Sequence, residues 1–230
     1  MINLFKRFIK NIFIDLGFSK YFYFLQNKKY FSNCPFLSKK MIFVHIPKTA
    51  GNSVAYYFFK LKKGPGHFYI NDYKNAILDH SNYYKFSVIR NPWDRVVSSF
   101  FYLKKGGRSA NDILFKKIFL HNIESFDQFV NKLDRSFVFR FFVMKYTHFI
   151  PQYKFICSNE ILDVDFVLRF ESLEKDLNNL MIKLNLEKTF ELKHINRTDH
   201  KYYKNYYSSS TISIVKSLYE KDIQIFNYKF

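Results

Sequence analysis

The chain is short of acid. Its 230 residues include 19 Asp and Glu against 37 Lys and Arg, a formal charge of +18. A field of that sign attracts polyanions: nucleic acid, anionic lipid, a nucleotide with several phosphates, or an acidic polysaccharide. Cysteine is nearly missing too. Cys34 and Cys157 stand alone, so neither a disulfide framework nor a zinc-ligand spacing can be built from them, and both read as reduced thiols. Six glycines and five prolines supply no linker, and there is no repeat or low-complexity tract. No apolar run is long enough to span a bilayer. The N-terminal LFKRFIKNIFIDLGF lacks a signal-peptide core, because Lys10 and Asp15 interrupt it. Its basic and apolar residues recur at roughly helical spacing, which suits a helix packed on the domain or one lying on an anionic membrane surface. The expectation is a cytoplasmic protein, with that segment offering peripheral contact at the inner membrane.

What is abundant is apolar and aromatic: 48% of residues are hydrophobic and 21% are Phe, Trp or Tyr. That is enough for one packed domain of ordinary size. Residues 1–40 read as an irregular or helical lead-in, and 41–230 as the domain proper. Met41-Ile-Phe-Val-His45 is a continuous apolar run of the buried, parallel-sheet type. Val54, Phe58 and Leu61 follow at helical spacing. Phe86-Ser-Val-Ile89 is a second buried strand, after which Asn91-Pro92 announces a helix with Trp93, Val96, Val97 and Phe100 on its apolar face. A helix is expected over Ser125 to Leu133, a strand at Phe166-Val-Leu168, and a helix from Leu173 to Leu184. Ser208 to Ser210 can cap a last helix carrying Ile212, Val215 and Tyr219. This alternation predicts an α/β protein, a P-loop-like three-layer fold with a central, mostly parallel β-sheet flanked by helices. Ligands of such sheets sit beyond the carboxyl ends of strands, at helix N-termini.

Two motifs lie at such places. His45-Ile-Pro-Lys-Thr-Ala-Gly-Asn-Ser53 joins a strand to a helix. Gly51 allows backbone amides to turn toward a ligand, the new helix adds N–H groups and a positive dipole end, Lys48 adds a full charge, and Thr49 and Ser53 add hydroxyls. Together they suit a terminal phosphate or sulfate. The loop is not a Walker A motif, because Lys48 precedes Gly51 instead of following a second glycine, and no aspartate is evidently placed for Mg²⁺. In Val88-Ile-Arg-Asn-Pro-Trp-Asp-Arg-Val-Val-Ser98, Arg90 ends a strand and offers a rigid fork to a phosphate dianion. Ser98 stands about two turns into the following helix. Arg95 could face the ligand or pair with an acid such as Asp94.

HIPKTAGNS followed by VIRNPWDRVVSSF resembles the Golgi-type carbohydrate sulfotransferases (sulfotransferase family 2, which includes heparan sulfate 2-O-sulfotransferase and bacterial relatives). The PQY segment, Phe166-Val-Leu-Arg-Phe-Glu-Ser172 and the C-terminal Asp222…Tyr228-Lys-Phe230 extend the resemblance from about Met41 to the C-terminus. It implies that Lys48, Thr49, Ala50, Gly51, Asn52 and Ser53 hold the 5′-phosphosulfate of 3′-phosphoadenosine 5′-phosphosulfate (PAPS), and that Arg90 and Ser98 hold its 3′-phosphate. It implies in-line sulfuryl transfer to a carbohydrate hydroxyl without a metal, with Lys48 stabilising the leaving phosphate. His67, in Gly64-Pro-Gly-His67 between the two motifs, resembles the family's histidine base; an imidazole suits that task near neutral pH. His80 is the alternative base. The positive charge favours an acidic glycan as acceptor. Other readings of the same sequence are a nucleic-acid-binding protein, against which stand the scattered basic residues and the lack of a recognition motif, and a non-catalytic nucleotide-binding relative, against which stands the presence of His67.

Overall fold

The computed structural model describes residues 37–61, 64–77, 79–186 and 201–230. The N-terminal basic–apolar segment, Cys34 and the Asn196-Arg-Thr-Asp199 stretch lie outside them. In chain order the elements are β1 (Met41–Val44), α1 (Gly51–Phe59), α2 (Ile70–Ala76), β2 (Tyr84–Ile89), α3 (Pro92–Lys104) and α4 (Ala110–Phe115), which runs on as a π-helical segment, Lys116–Leu120. Then come α5 (Phe126–Arg135), α6 (Phe137–Lys145), α7 (Tyr153–Ile156), β3 (Cys157–Ser158), β4 (Ile161–Leu162), β5 (Phe166–Arg169), α8 (Leu173–Lys183), α9 (Ser209–Leu218) and α10 (Glu220–Phe226). The chain is an α/β protein. Its described residues fall into two compact units, one made of those up to Asn91 together with 152–186, the other of 92–151 and 201–230.

The first unit carries a parallel three-stranded sheet in the order β1-β2-β5. Phe43 is in register with Phe86, and Phe86 with Phe166. All four residues of β1 and the last four of β2 are buried, as a sheet covered on both faces requires. Phe43 and Phe86 stack at 5.0 Å, and Phe58 of α1 packs on Phe86 at 5.8 Å. The polar Ser87 is accommodated in this apolar run because its hydroxyl donates to the Val44 carbonyl at 2.7 Å. Leu173, Leu177 and Leu180 bury one face of α8, as their helical spacing dictates. Beside the sheet, β3 and β4 form a hairpin whose two turn residues, Asn159 and Glu160, are left-handed, the geometry of a type I′ turn. Because the three strands are parallel, their carboxyl ends open on one edge. There β1 runs into the His45–Ala50 loop, β2 into Arg90, and β5 into Phe170 and Glu171.

The second unit is helical. Pro92 is the first residue of α3, where its missing N–H costs nothing. Phe126, Phe129, Val130 and Leu133 bury one stripe of α5, and Ser125 caps it through the Gln128 amide. Trp93 is core: it is 3% exposed, its indole N–H donates to the Ile212 carbonyl, and its ring meets Phe230 edge-on. Arg95 is 1% exposed and donates to the Ile150 carbonyl, so it serves the interior of this unit. The last helix expected from the sequence is two: the chain turns at Tyr219, whose buried hydroxyl donates to the Phe149 carbonyl at 2.7 Å, and resumes as α10.

The same unit buries one carboxylate among donors. Asp112 accepts from the hydroxyls of Tyr146 (2.6 Å) and Tyr102 (3.1 Å) and from the amides of Arg108 (3.0 Å) and Ser109 (2.9 Å), and His148 Nε2 lies 3.3 Å away. Burial by itself would raise its pKa; the hydrogen bond and charge of His148, then Tyr146 and the Arg108 amide, outweigh it and hold the carboxyl well below its usual range. The converse acts on Tyr102, pushed up to about 12 by burial first and then by the Asp112 charge.

Candidate active site

The loop after β1 owes its shape to two residues that are not glycine. Lys48 (φ 70°) and Ala50 (φ 64°) both hold left-handed backbone, a conformation that costs an L-residue roughly 1–2 kcal/mol. Left-handed residues alternating with others turn successive amides toward one concavity, a site for an anion. Ala50 is the N-cap of α1, and it has no side chain with which to cap. The amides of Ser53 and Val54 return to the Ala50 carbonyl at 2.9 and 3.2 Å. Those of Gly51 and Asn52, at the leading edge of α1, donate to no acceptor among the described residues. A serine or aspartate at this position could have capped these amides; an alanine supplies no acceptor.

The side chains of the loop divide their work differently from the sequence expectation. The Thr49 hydroxyl, fully buried, donates to the Ile46 carbonyl at 2.9 Å and braces the turn. Asn52 turns its Oδ1 to the Gly64 amide at 3.0 Å. Ser53 is 7% exposed on the first turn of α1. Gly51 is not the left-handed residue: its lack of a side chain makes room for the His45 ring.

That ring organises the second half of the site. His45 Nδ1 donates to the Pro65 carbonyl at 2.8 Å. His67 Nδ1 lies 3.0 Å from the His45 carbonyl oxygen, and the two imidazoles meet at 4.5 Å. A carbonyl can only accept, so the neutral His67 carries its proton on Nδ1 and its lone pair on Nε2. Through Asn52–Gly64, His45–Pro65 and His67–His45, the segment with the candidate base is fastened to the anion loop. His80 lies elsewhere: its short turn precedes β2, at the opposite end of that strand from Arg90, about 20 Å of extended chain.

Arg90 emerges from β2 on the same edge as the loop. Gln152 clamps its backbone from both sides, accepting from its amide at 2.9 Å and donating to its carbonyl at 2.8 Å. The guanidinium lies 4.1 Å over the Phe170 ring, and Nη1 donates to the Lys48 carbonyl at 3.0 Å. Glu171 accepts from the Asn91 amide at 2.6 Å. Gln152 and Phe170 are therefore site-building residues to which the sequence alone gave no role, although PQY and Phe166–Ser172 belong to the segments that carry the resemblance; Glu171, which the sequence suggests as a structural partner of Arg169, holds the Asn91 amide. Ser98 belongs to the other unit, where it is fully buried on α3.

A parallel sheet whose carboxyl edge gathers helix-terminal amides, a lysine, a stacked arginine and an oriented histidine is an arrangement suited to an anion. The chain belongs to the sulfotransferase family, whose model matches residues 37–229. Searches of curated proteins and of solved structures return no match. Family membership makes sulfuryl transfer the general activity of the chain.

Proposed function

We propose that the protein moves a sulfuryl group from PAPS to a hydroxyl of a carbohydrate. The observation that carries this reading is the fastening of His67 to a loop whose leading amides, those of Gly51 and Asn52, have no acceptor among the described residues. A 5′-phosphosulfate on those amides and on Lys48 would bring its sulfur close to the segment that holds the candidate base. Arg90, stacked and tied to the loop carbonyl, suits the 3′-phosphate. The acceptor oxygen forms a bond to sulfur as the bond from sulfur to the bridging oxygen of the 5′-phosphate breaks. His67 Nε2 takes the hydroxyl proton, and the sulfate ester and adenosine 3′,5′-bisphosphate leave. Negative charge grows on the departing phosphate, where Lys48 and the amides stabilise it without reorganising. The surplus of basic residues favours an acidic glycan as acceptor.

The test is transfer of radiolabelled sulfate from PAPS to a panel of acidic and neutral polysaccharides, beside calorimetric titration with adenosine 3′,5′-bisphosphate. Labelled polysaccharide is expected, with the label lost in Lys48→Ala. A chain that does not bind the bisphosphate overturns the nucleotide assignment. One that binds it and sulfates only a non-carbohydrate hydroxyl overturns the acceptor assignment.

A further inference from the structure

Among the described residues no helix is long and apolar enough to cross a membrane, yet α6 presents a face that water does not suit. Phe137 is 70% exposed, Val138 63% and Phe141 38%, while Phe139 and Val143 of the same helix are buried. Phe137 and Phe141 are one turn apart and their rings lie 6.3 Å from each other, so they form one patch and not scattered single residues. The patch is held in place. Arg140 lies 5.9 Å from the Phe137 ring, and its Nη1 donates to the carbonyls of Leu133 and Asp134 at the end of α5. Lys132 and Arg135 at the end of α5 are exposed, and Lys145 ends α6; Asp134 is the only acid from 132 to 145.

We infer that this face of α6 docks on an anionic lipid bilayer. Exposed aromatic side chains flanked along the chain by lysine and arginine match the depth profile of a membrane surface, with rings at the acyl boundary and cations among the phosphates. A second copy of the chain fits less well. It would bring the same excess of positive charge, in a chain of +18 overall. Three exposed side chains also fall well short of the roughly 800 Å² that each partner buries in a stable protein interface. A bilayer requires no matching shape and supplies the missing negative charge.

The experiment is co-sedimentation of the full chain with phosphatidylcholine vesicles, with and without phosphatidylglycerol. Binding to the anionic vesicles is expected, weakening with added salt. The double variant Phe137→Ser, Phe141→Ser should bind about tenfold more weakly or worse, from the loss of two rings, while keeping a cooperative thermal transition, because neither side chain belongs to the buried core. A position-specific readout is Phe141→Trp: its indole should shift to shorter wavelength on anionic vesicles and be quenched by brominated lipid, while native Trp93, 3% exposed, is not. The inference is overturned if the wild-type chain ignores anionic vesicles, if the double variant binds them equally well, or if the introduced indole stays in water while the protein is bound. It is also overturned if the double substitution dissolves a dimer and leaves vesicle binding unchanged, for a second copy then covers this face.

Discussion

A methyl group on Gly51 would stand 1.9 Å from Cδ2 and 2.3 Å from Nε2 of His45. Non-bonded heavy atoms do not come that close, so any side chain at Gly51 must displace the His45 ring. That ring cannot move alone, because its Nδ1 is bonded to Pro65 and its face lies against His67. The strand–helix loop and the segment with the candidate base therefore share one mechanical part. Gly51→Ala is expected to destabilise the protein by about 1–3 kcal/mol through overpacking and to weaken adenosine 3′,5′-bisphosphate binding at least tenfold. Thermal unfolding and calorimetric titration read the two effects. An alanine variant with native affinity would show that the ring position does not matter to the loop.

The tautomer of His67 follows from the same contact. With Nδ1 donating to the His45 carbonyl, the neutral ring must expose Nε2 as the acceptor, and nitrogen-15 NMR of labelled protein should find the proton on Nδ1. His67→Ala should lose transfer by a factor of roughly 10² to 10⁴, the range a positioned base contributes, while bisphosphate affinity stays within a few-fold of wild type. Loss of both together would make His67 a part of the nucleotide cradle and not a base. A proton found on Nε2 would remove the lone pair from the side the proposed reaction needs.

The strands and junctions that carry the candidate site are legible as sequence patterns, and the parts that are not legible share a cause. The β1 and β2 runs, the Lys48 loop, Arg90 and the Ser208 cap are local signals: an apolar run, a strand–helix junction, a hydroxyl before a helix. Gln152, Phe170 and Glu171 act on Arg90 and Asn91 from across 62 to 80 residues of sequence, and no local pattern marks a glutamine as a backbone clamp. The left-handed backbone at Lys48 and Ala50 was hidden for the opposite reason: glycine is the residue that advertises such turns, and the nearby glycine serves a different end. The chain's break at Tyr219 depends on a carbonyl 70 residues away. For α6, FVFRFFVMK is apolar almost all round, which blurs its helical periodicity.

Arg90 separates two readings of its charge. If its fork holds the 3′-phosphate, Arg90→Ala should bring the affinity for adenosine 3′,5′-bisphosphate down to that for adenosine 5′-phosphate, while leaving the 5′-phosphate affinity nearly unchanged. Arg90→Lys should recover only part, because a lysine keeps the charge but not the planar group that lies on Phe170 while bonding to the Lys48 carbonyl. Calorimetry with the two nucleotides measures both. Equal losses for both ligands would mean that Arg90 acts by shaping the Lys48 loop and not by touching the 3′-phosphate.

The Asp112 cluster fixes how the protein responds to acid. Its carboxyl is held well below the ordinary aspartate value by His148, Tyr146 and the Arg108 amide acting against burial. In the unfolded chain the same group titrates near about 3.9. Above that pH both states are ionised and the native contacts count in full. As pH falls through and below about 4 the unfolded chain binds a proton first, so this contribution to stability is progressively lost. Asp112→Asn replaces one acceptor oxygen by an NH₂ group, facing either the Tyr146 hydroxyl and His148 or the Tyr102 hydroxyl and the amides of Arg108 and Ser109. It should cost about 2–4 kcal/mol at neutral pH and flatten the acid limb of the stability curve. Denaturant titrations of both proteins between neutral pH and pH of about 3 measure this directly. Parallel acid limbs would assign the acid sensitivity to other carboxylates, such as Asp163, whose pairing with Lys74 is more exposed and therefore weaker.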